Sequence, residues 1–184
     1  VATDDNGCTT TETVIITESD TLTSSYTQSD YNGFGVSCNG DTDGSIDLSV
    51  SGGVDNQNYT YVWNDASTVE DRTLLGVGTY TVVASDANGC TTTETVIVTE
   101  ADPLTSSFNT TDWNDFEIQC NGGNNGEITL AILGGVIALS YSYDIDGVSN
   151  STNVFNNISA GTYTLTATDA NGCIIMDSIA VTEP

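Results

Sequence analysis

Apolar and polar residues alternate along this chain in short runs, the pattern of strands with one buried face. Ile46-Asp47-Leu48-Ser49-Val50 is one such run. Tyr59-Thr60-Tyr61-Val62-Trp63, Thr79-Tyr80-Thr81-Val82-Val83-Ala84 and Thr93-Glu94-Thr95-Val96-Ile97-Val98 are others, and Thr73-Leu74-Leu75 is a shorter candidate. Turn-forming residues separate them at Asn39-Gly40, Asp43-Gly44, Gly52-Gly53 and Asp86-Ala87-Asn88-Gly89. Asn-Gly favours tight hairpins because both residues tolerate positive φ. No window holds helical spacing over a helix-length stretch, so the chain reads as all-β.

The runs repeat. Asn6 to Ile15 recurs unchanged at Asn88 to Ile97, and Cys8 and Cys90 stand 82 residues apart. Asn171-Gly172-Cys173 is a looser third copy, 83 residues beyond Cys90. Cys38 and Cys120 keep the 82-residue offset, as do Gly52-Gly53 with Gly134-Gly135 and Tyr59-Thr60-Tyr61 with Tyr141-Ser142-Tyr143. Many markers in one register make a repeat protein. The units are a partial repeat over 1–18 and full repeats over 19–101 and 102–184. Roughly seven short strands in a unit of this length fit an immunoglobulin-like sandwich. The expected fold is therefore tandem immunoglobulin-like β-sandwich repeats. The chain opens in mid-motif at Val1-Ala2-Thr3-Asp4 and so reads as part of something longer.

Charge narrows the function. Lys plus Arg total 1 and Asp plus Glu total 26, for a formal net charge of −25. Such a surface repels nucleic acid, which needs clustered Lys and Arg. No segment has the ~18 consecutive apolar residues of a membrane-spanning helix. The chain has no His, so Ser/His or Cys/His catalytic pairs cannot form. There is no Cys-x-x-Cys for a thiolate zinc site and no Gly-rich phosphate loop followed by Lys. Paired carboxylates arise by chance among so many acids. The chain reads as a non-enzyme.

Cys38-Asn39-Gly40, Asp43-Gly44, Gly52-Gly53, Tyr59 to Trp63, Gly78 to Val82, Asp86 to Cys90 and Thr182-Glu183-Pro184 together resemble the SprB repeat family. The second full repeat departs at Ile145, where Trp63 stands in the first, and at Asn125, where Asp43 stands. The resemblance implies a large secreted adhesin on the cell outer surface, exported by type IX secretion, with gliding motility and its machinery as the setting. Its partners would be neighbouring repeats of the same chain and a surface polysaccharide or substratum.

Five cysteines in a secreted β protein should be oxidised. Cys8 belongs to the partial repeat, so its partner would lie outside the chain. For Cys38, Cys90, Cys120 and Cys173 two pairings stand. One closes each repeat on itself, as Cys38–Cys90 and Cys120–Cys173. The other, Cys38–Cys173, joins the two full repeats. In an immunoglobulin-like order Cys38 lies at one end of its sandwich and Cys90 at the other. A strand of ~6–7 residues spans ~20 Å, whereas bridged Cα atoms lie within ~7 Å.

Asp41-Thr42-Asp43-Gly44 resembles part of a calcium loop, since Ca²⁺ takes carboxylate and carbonyl oxygens. With Asp86, Asp102 and Asp169 these acids form a candidate Ca²⁺ set at the repeat junction. The competing reading is a turn rich in Asp and Asn because those residues make turns. Tyr59, Tyr61, Trp63, Tyr141 and Tyr143 read as core, with a sugar platform as the alternative. Tyr31, Phe34, Trp113 and Phe116 sit in polar stretches, as an edge cover or a ligand patch. Asp20-Thr21-Leu22 and Asp177-Ser178-Ile179 fit the Asp-Ser/Thr-apolar pattern of O-glycosylation, at Thr21 and Ser178. Two functions follow: a structural, adhesive stalk repeat, or a module binding one glycan or calcium.

Overall fold

The computed structural model describes residues 1–54, 58–137 and 141–184. Among them every regular element is a β-strand. Residues 1–18 contribute only a hairpin, β1 (Ala2–Thr3) against β2 (Thr9–Thr10). The first full repeat carries β3 (Asp20–Gln28), β4 (Gly44–Gly53), β5 (Thr60–Trp63), β6 (Arg72–Leu75), β7 (Gly78–Ser85) and β8 (Thr91–Val98). The second carries β9 (Thr105–Thr110), β10 (Gly126–Leu133), β11 (Ser142–Ile145), β12 (Val148–Asn150), β13 (Val154–Ile158), β14 (Gly161–Thr168) and β15 (Ile174–Val181).

The strands sort into sheets the same way twice. In the first repeat the orders are β3-β4-β6 and β5-β7-β8. In the second they are β13-β10-β9 and β12-β11-β14-β15. All pairings are antiparallel. First, second and fourth strands on one sheet, with third, fifth and sixth on the other, is the immunoglobulin-like arrangement. Among the described residues the first repeat has six strands rather than seven. The second reaches seven through the short edge strand β12.

Alternation along each strand fills the space between its two sheets. In β4, Ile46 and Leu48 point inward while Asp47 and Ser49 face water. The first core gathers Val36, Ile46, Leu48, Trp63, Leu75, Val82, Val96 and Val98. The second gathers Ile118, Ile128, Leu130, Phe155, Leu165 and Ile179 with their neighbours. The two cores share no residue. Trp63 is 2 % exposed, and its Nε1 donates to the Val69 carbonyl at 2.8 Å. Ile145, at the matching position, is only half-buried, and Phe155 is the buried aromatic of the second core.

Edges are closed by hydroxyls. Ser24 on β3 reaches across to Thr92 and Glu94 on β8, at 2.8 and 2.9 Å. Ser106 on β9 donates to Asp177 on β15 at 3.2 Å. The repeated Gly-Gly pair has a steric cause. Gly52 and Gly134 both have positive φ, and a Cβ on either would stand 2.0 Å from a backbone oxygen, Thr21 O or Pro103 O. A Cβ on Gly53 or Gly135 would meet a carboxylate oxygen of Asp86 or Asp169 at 2.7 Å. The partial repeat has no such sandwich. Val14 and Ile16 are exposed, whereas their counterparts Val96 and Val98 are fully buried.

Candidate functional site at the repeat junction

Each sandwich has an upper end, carrying the β7–β8 or β14–β15 hairpin, and a lower end, carrying the β3–β4 or β9–β10 connection. The upper hairpin is built by one aspartate. Asp169 Oδ1 accepts from the backbone N–H of Asn171 and Cys173, both at 2.9 Å, and Oδ2 accepts from Val136 N–H at 2.8 Å. Asp86 does the same for Asn88, Cys90 and Val54. Asp4 holds Asn6 and Cys8 in the same way. These donors, Val54 foremost and then Cys90 and Asn88, hold the Asp86 carboxyl below the usual carboxylate range. A depressed carboxylate contributes stability above its unfolded pKa and loses it as pH falls through the folded one. The loop is therefore firm at neutral pH and loosens in acid.

The lower end is built by a tight hairpin and a tied-down linker. Tyr31 and Phe34 exchange backbone hydrogen bonds around Asn32-Gly33, whose φ angles are 55° and 96°. Trp113 N–H donates to Phe116 O at 2.7 Å around Asn114-Asp115, again with positive φ. Downstream, Asn39 Nδ2 donates to Ala101 O at 2.9 Å and Gly40 N–H to Glu100 Oε2 at 2.7 Å. In the second repeat Asn121 donates to Glu183 and Pro184, and Gly122 N–H to Glu183 Oε2 at 2.7 Å. Ser37 N–H donates to Asp43, and this hydrogen bonding lowers the Asp43 pKa. At the matching position Gln119 N–H donates to the Asn125 amide oxygen at 3.3 Å. The position needs an acceptor, not a charge.

The lower end of the first repeat meets the upper end of the second. Cys38 and Cys173 are bridged, with Cα atoms 5.6 Å apart and a sequence separation of 135. The structure thus contains the inter-repeat pairing. Cys90 and Cys120 are free and exposed, as is Cys8, so neither intra-repeat bridge is present. Strand length separates the ends of each sandwich by more than a disulfide spans. Asn171 reinforces the bridge. Its Nδ2 donates to Tyr31 O at 3.1 Å and Ser37 O at 2.9 Å, and its Oδ1 accepts from Asn32 Nδ2. Beside the bridge lies a cleft of about 440 Å³, lined in part by Asp41, Asp102, Pro103, Leu104, Asp169 and Ile175.

The sequence candidates divide at this joint. Asp41, Asp102 and Asp169 line the cleft, while Asp86 stands at the far, upper end of the first repeat. Among the described residues no three of His, Cys, Asp and Glu stand where they could hold one metal ion. The Asp86 and Asp169 carboxylates are turned to backbone N–H groups, and Asp41 and Asp43 to Ser37. Four of the five acids thus accept hydrogen bonds within their own turns and loops. Tyr31 and Phe34 are half-buried at the joint, whereas Trp113 is exposed at the outer, lower end with Phe116 half-buried beside it. Tyr61 and Tyr80 pack on the first core, and Tyr141 and Tyr143 on the second. Thr21 and Ser178 are both exposed.

Replacing Asn171 with Ala removes three polar contacts across the joint and none within either core. At roughly 0.5–1.5 kcal/mol per hydrogen bond, the bridge should be reduced by a small thiol about ten-fold faster. Both melting transitions should stay nearly in place. An unchanged reduction rate would show that Asn171 does not hold the joint.

Two stretches of the chain, residues 36–68 and 117–150, match the family model of the SprB repeat. Each covers the lower-end cysteine and runs through the third strand of its sandwich, stopping short of the upper hairpin. No curated protein matches the chain.

Proposed function

We infer that this chain, which carries two SprB repeats, is a stalk segment of a secreted cell-surface adhesin. The SprB repeat is an adhesin-type repeat of cell-surface proteins and not an enzyme family. One observation carries the stalk reading: the bridge from Cys38 to Cys173 with Asn171 seated across the same boundary. A covalent tie between neighbouring repeats resists bending and pulling, which a catalytic or ligand-binding domain does not need. Attachment to a polysaccharide or substratum, and movement along the cell surface, belong to the setting that the family supplies. Many copies would turn weak surface contacts into avidity.

The bridge sets the path of force. Tension applied at the two ends enters through β3, crosses from Cys38 to Cys173 and leaves along β15. The chain between the two cysteines, a sequence separation of 135, carries none of it. Single-molecule pulling on the oxidised chain should therefore release only the segments outside the bridge. Reduction should add about 45 nm of contour length, from 135 residues at ~3.3–3.6 Å each. Equal extension before and after reduction would remove the load-bearing reading.

A further inference from the structure

The outer ends of this two-repeat unit carry the same parts as the joint inside it. At the upper end of the first repeat, Asp86 holds Asn88 and Cys90 with the hydrogen bonds by which Asp169 holds Asn171 and Cys173. At the lower end of the second repeat, Asn121 and Gly122 tie to Glu183 and Pro184 as Asn39 and Gly40 tie to Glu100 and Ala101. The Trp113–Phe116 hairpin stands where Tyr31–Phe34 stands. Both halves are thus built before any partner arrives. Exposure separates the filled joint from the open ends. Cys38, Cys173, Tyr31 and Asn171 are half-buried, while Cys120, Cys90, Trp113 and Asn88 are exposed.

We propose that these ends are complementary half-joints, and that the lower end of one copy docks on the upper end of a second copy and is sealed by a Cys120–Cys90 disulfide. The inference rests on the stalk reading and names its partner: another repeat of the same kind. The contact is heterologous, because the two surfaces differ, so repetition gives an open filament rather than a closed dimer. In a longer array each repeat is then stapled at both ends, and two interleaved covalent paths run along the stalk.

The covalent step is thiol–disulfide exchange. The Cys120 thiolate attacks a small-molecule disulfide and releases one small thiolate. The Cys90 thiolate of the second copy attacks the mixed disulfide and releases the other. Two protein thiols lose two electrons, the reagent gains them as two thiols, and the two protons pass to those thiols. Like charge opposes the approach, since each copy has a formal net charge of −25. Linking should therefore accelerate in ~1 M salt, where the screening length falls to ~3 Å.

The full-length chain with Cys8→Ser, incubated with oxidised glutathione in high salt, tests this. Cys8 is removed because its hairpin presents a third thiol. A ladder of dimer, trimer and longer species on non-reducing gels is expected. Linked peptides should be mostly Cys120–Cys90, well above the half of all links that random pairing gives. Asn88→Ala should slow the linking about ten-fold while leaving alkylation of Cys90 by a small reagent unchanged. A random mixture of Cys90–Cys90, Cys120–Cys120 and Cys120–Cys90 links overturns the proposal, as does an Asn88→Ala rate equal to that of the parent. If Cys38–Cys173 persists while the ends fail to link selectively, the docking inference falls and the stalk reading stands. If Cys38–Cys173 is itself absent, both fall.

Discussion

Replacing Trp63 with Ala should lower the melting temperature of the first full repeat by roughly 15–30 °C and leave the second repeat's transition in place. The indole is 2 % exposed, its N–H is bonded to Val69 O, and the Arg72 guanidinium lies 5.2 Å from its ring centroid. Truncation removes the largest buried side chain of that core and opens a cavity, at a cost of about 3–5 kcal/mol. A unit of ~80 residues holds only roughly 4–12 kcal/mol in all. Each kcal/mol shifts the melting point of a domain this size by ~4–8 °C. Arg72 would also lose the nearer of its two aromatic contacts while keeping Tyr80, 6.0 Å from its ring centroid, and Asp65, 2.6 Å away. The second repeat should not respond, because its core shares no residue with the first. Calorimetry on the two-repeat chain separates the transitions. A common shift of both would mean that the repeats unfold as one unit.

The second large effect concerns the bridge. Replacing both Cys38 and Cys173 with Ser removes a cross-link closing 135 residues of chain. In the chain-entropy account this lifts a restriction on the unfolded state worth up to about 5 kcal/mol, shared between the two repeats. Both denaturant midpoints should fall, and the m-value should rise as the unfolded chain expands. Cys90→Ser with Cys120→Ser should leave both midpoints in place, since neither thiol is bonded within the chain. A double Cys38/Cys173 variant with unchanged midpoints would mean that the bridge is absent from the folded protein.

Much of this architecture is written locally in the sequence. The 82-residue period and the alternation of Ile46-Asp47-Leu48-Ser49-Val50 suffice to place a strand that does run from Gly44 to Gly53. The placing of Cys38 and Cys90 at opposite ends follows from strand order and length. The first strand of each repeat was harder to see. In β3, Asp20–Gln28 reads as polar and only Leu22 and Ser24 are half-buried, so an edge strand leaves almost no periodic signal. Its partnership shows only through Ser24 reaching Thr92 and Glu94. β12 is three residues long and depends on the register of β11, which local pattern does not fix.

The site was legible in its cysteines and not in its polar partners. Asn171 bonds residues 134 and 140 positions away, and no local pattern encodes that distance. The acids are ambiguous in sequence because an Asp-rich turn and a calcium loop share composition; Asn125 stands where Asp43 does, and each accepts a backbone N–H, from Gln119 and Ser37. Tyr31 and Trp113 illustrate the same limit: they hold matching places in the two repeats, yet Tyr31 is half-buried with its carbonyl bonded to Asn171 and Trp113 is exposed.

The central claim is that the disulfide joins one repeat to the next. Glu residues make its test simple, because cleavage after Glu18, Glu70, Glu94, Glu117, Glu127 and Glu183 places Cys38, Cys90, Cys120 and Cys173 on four different peptides. Free thiols are first alkylated, and the denatured, unreduced chain is then cut with a Glu-specific protease and analysed by mass spectrometry. The structure predicts one linked pair, the Cys38 peptide with the Cys173 peptide, and alkylated Cys90 and Cys120. A Cys38 peptide linked to the Cys90 peptide would contradict it.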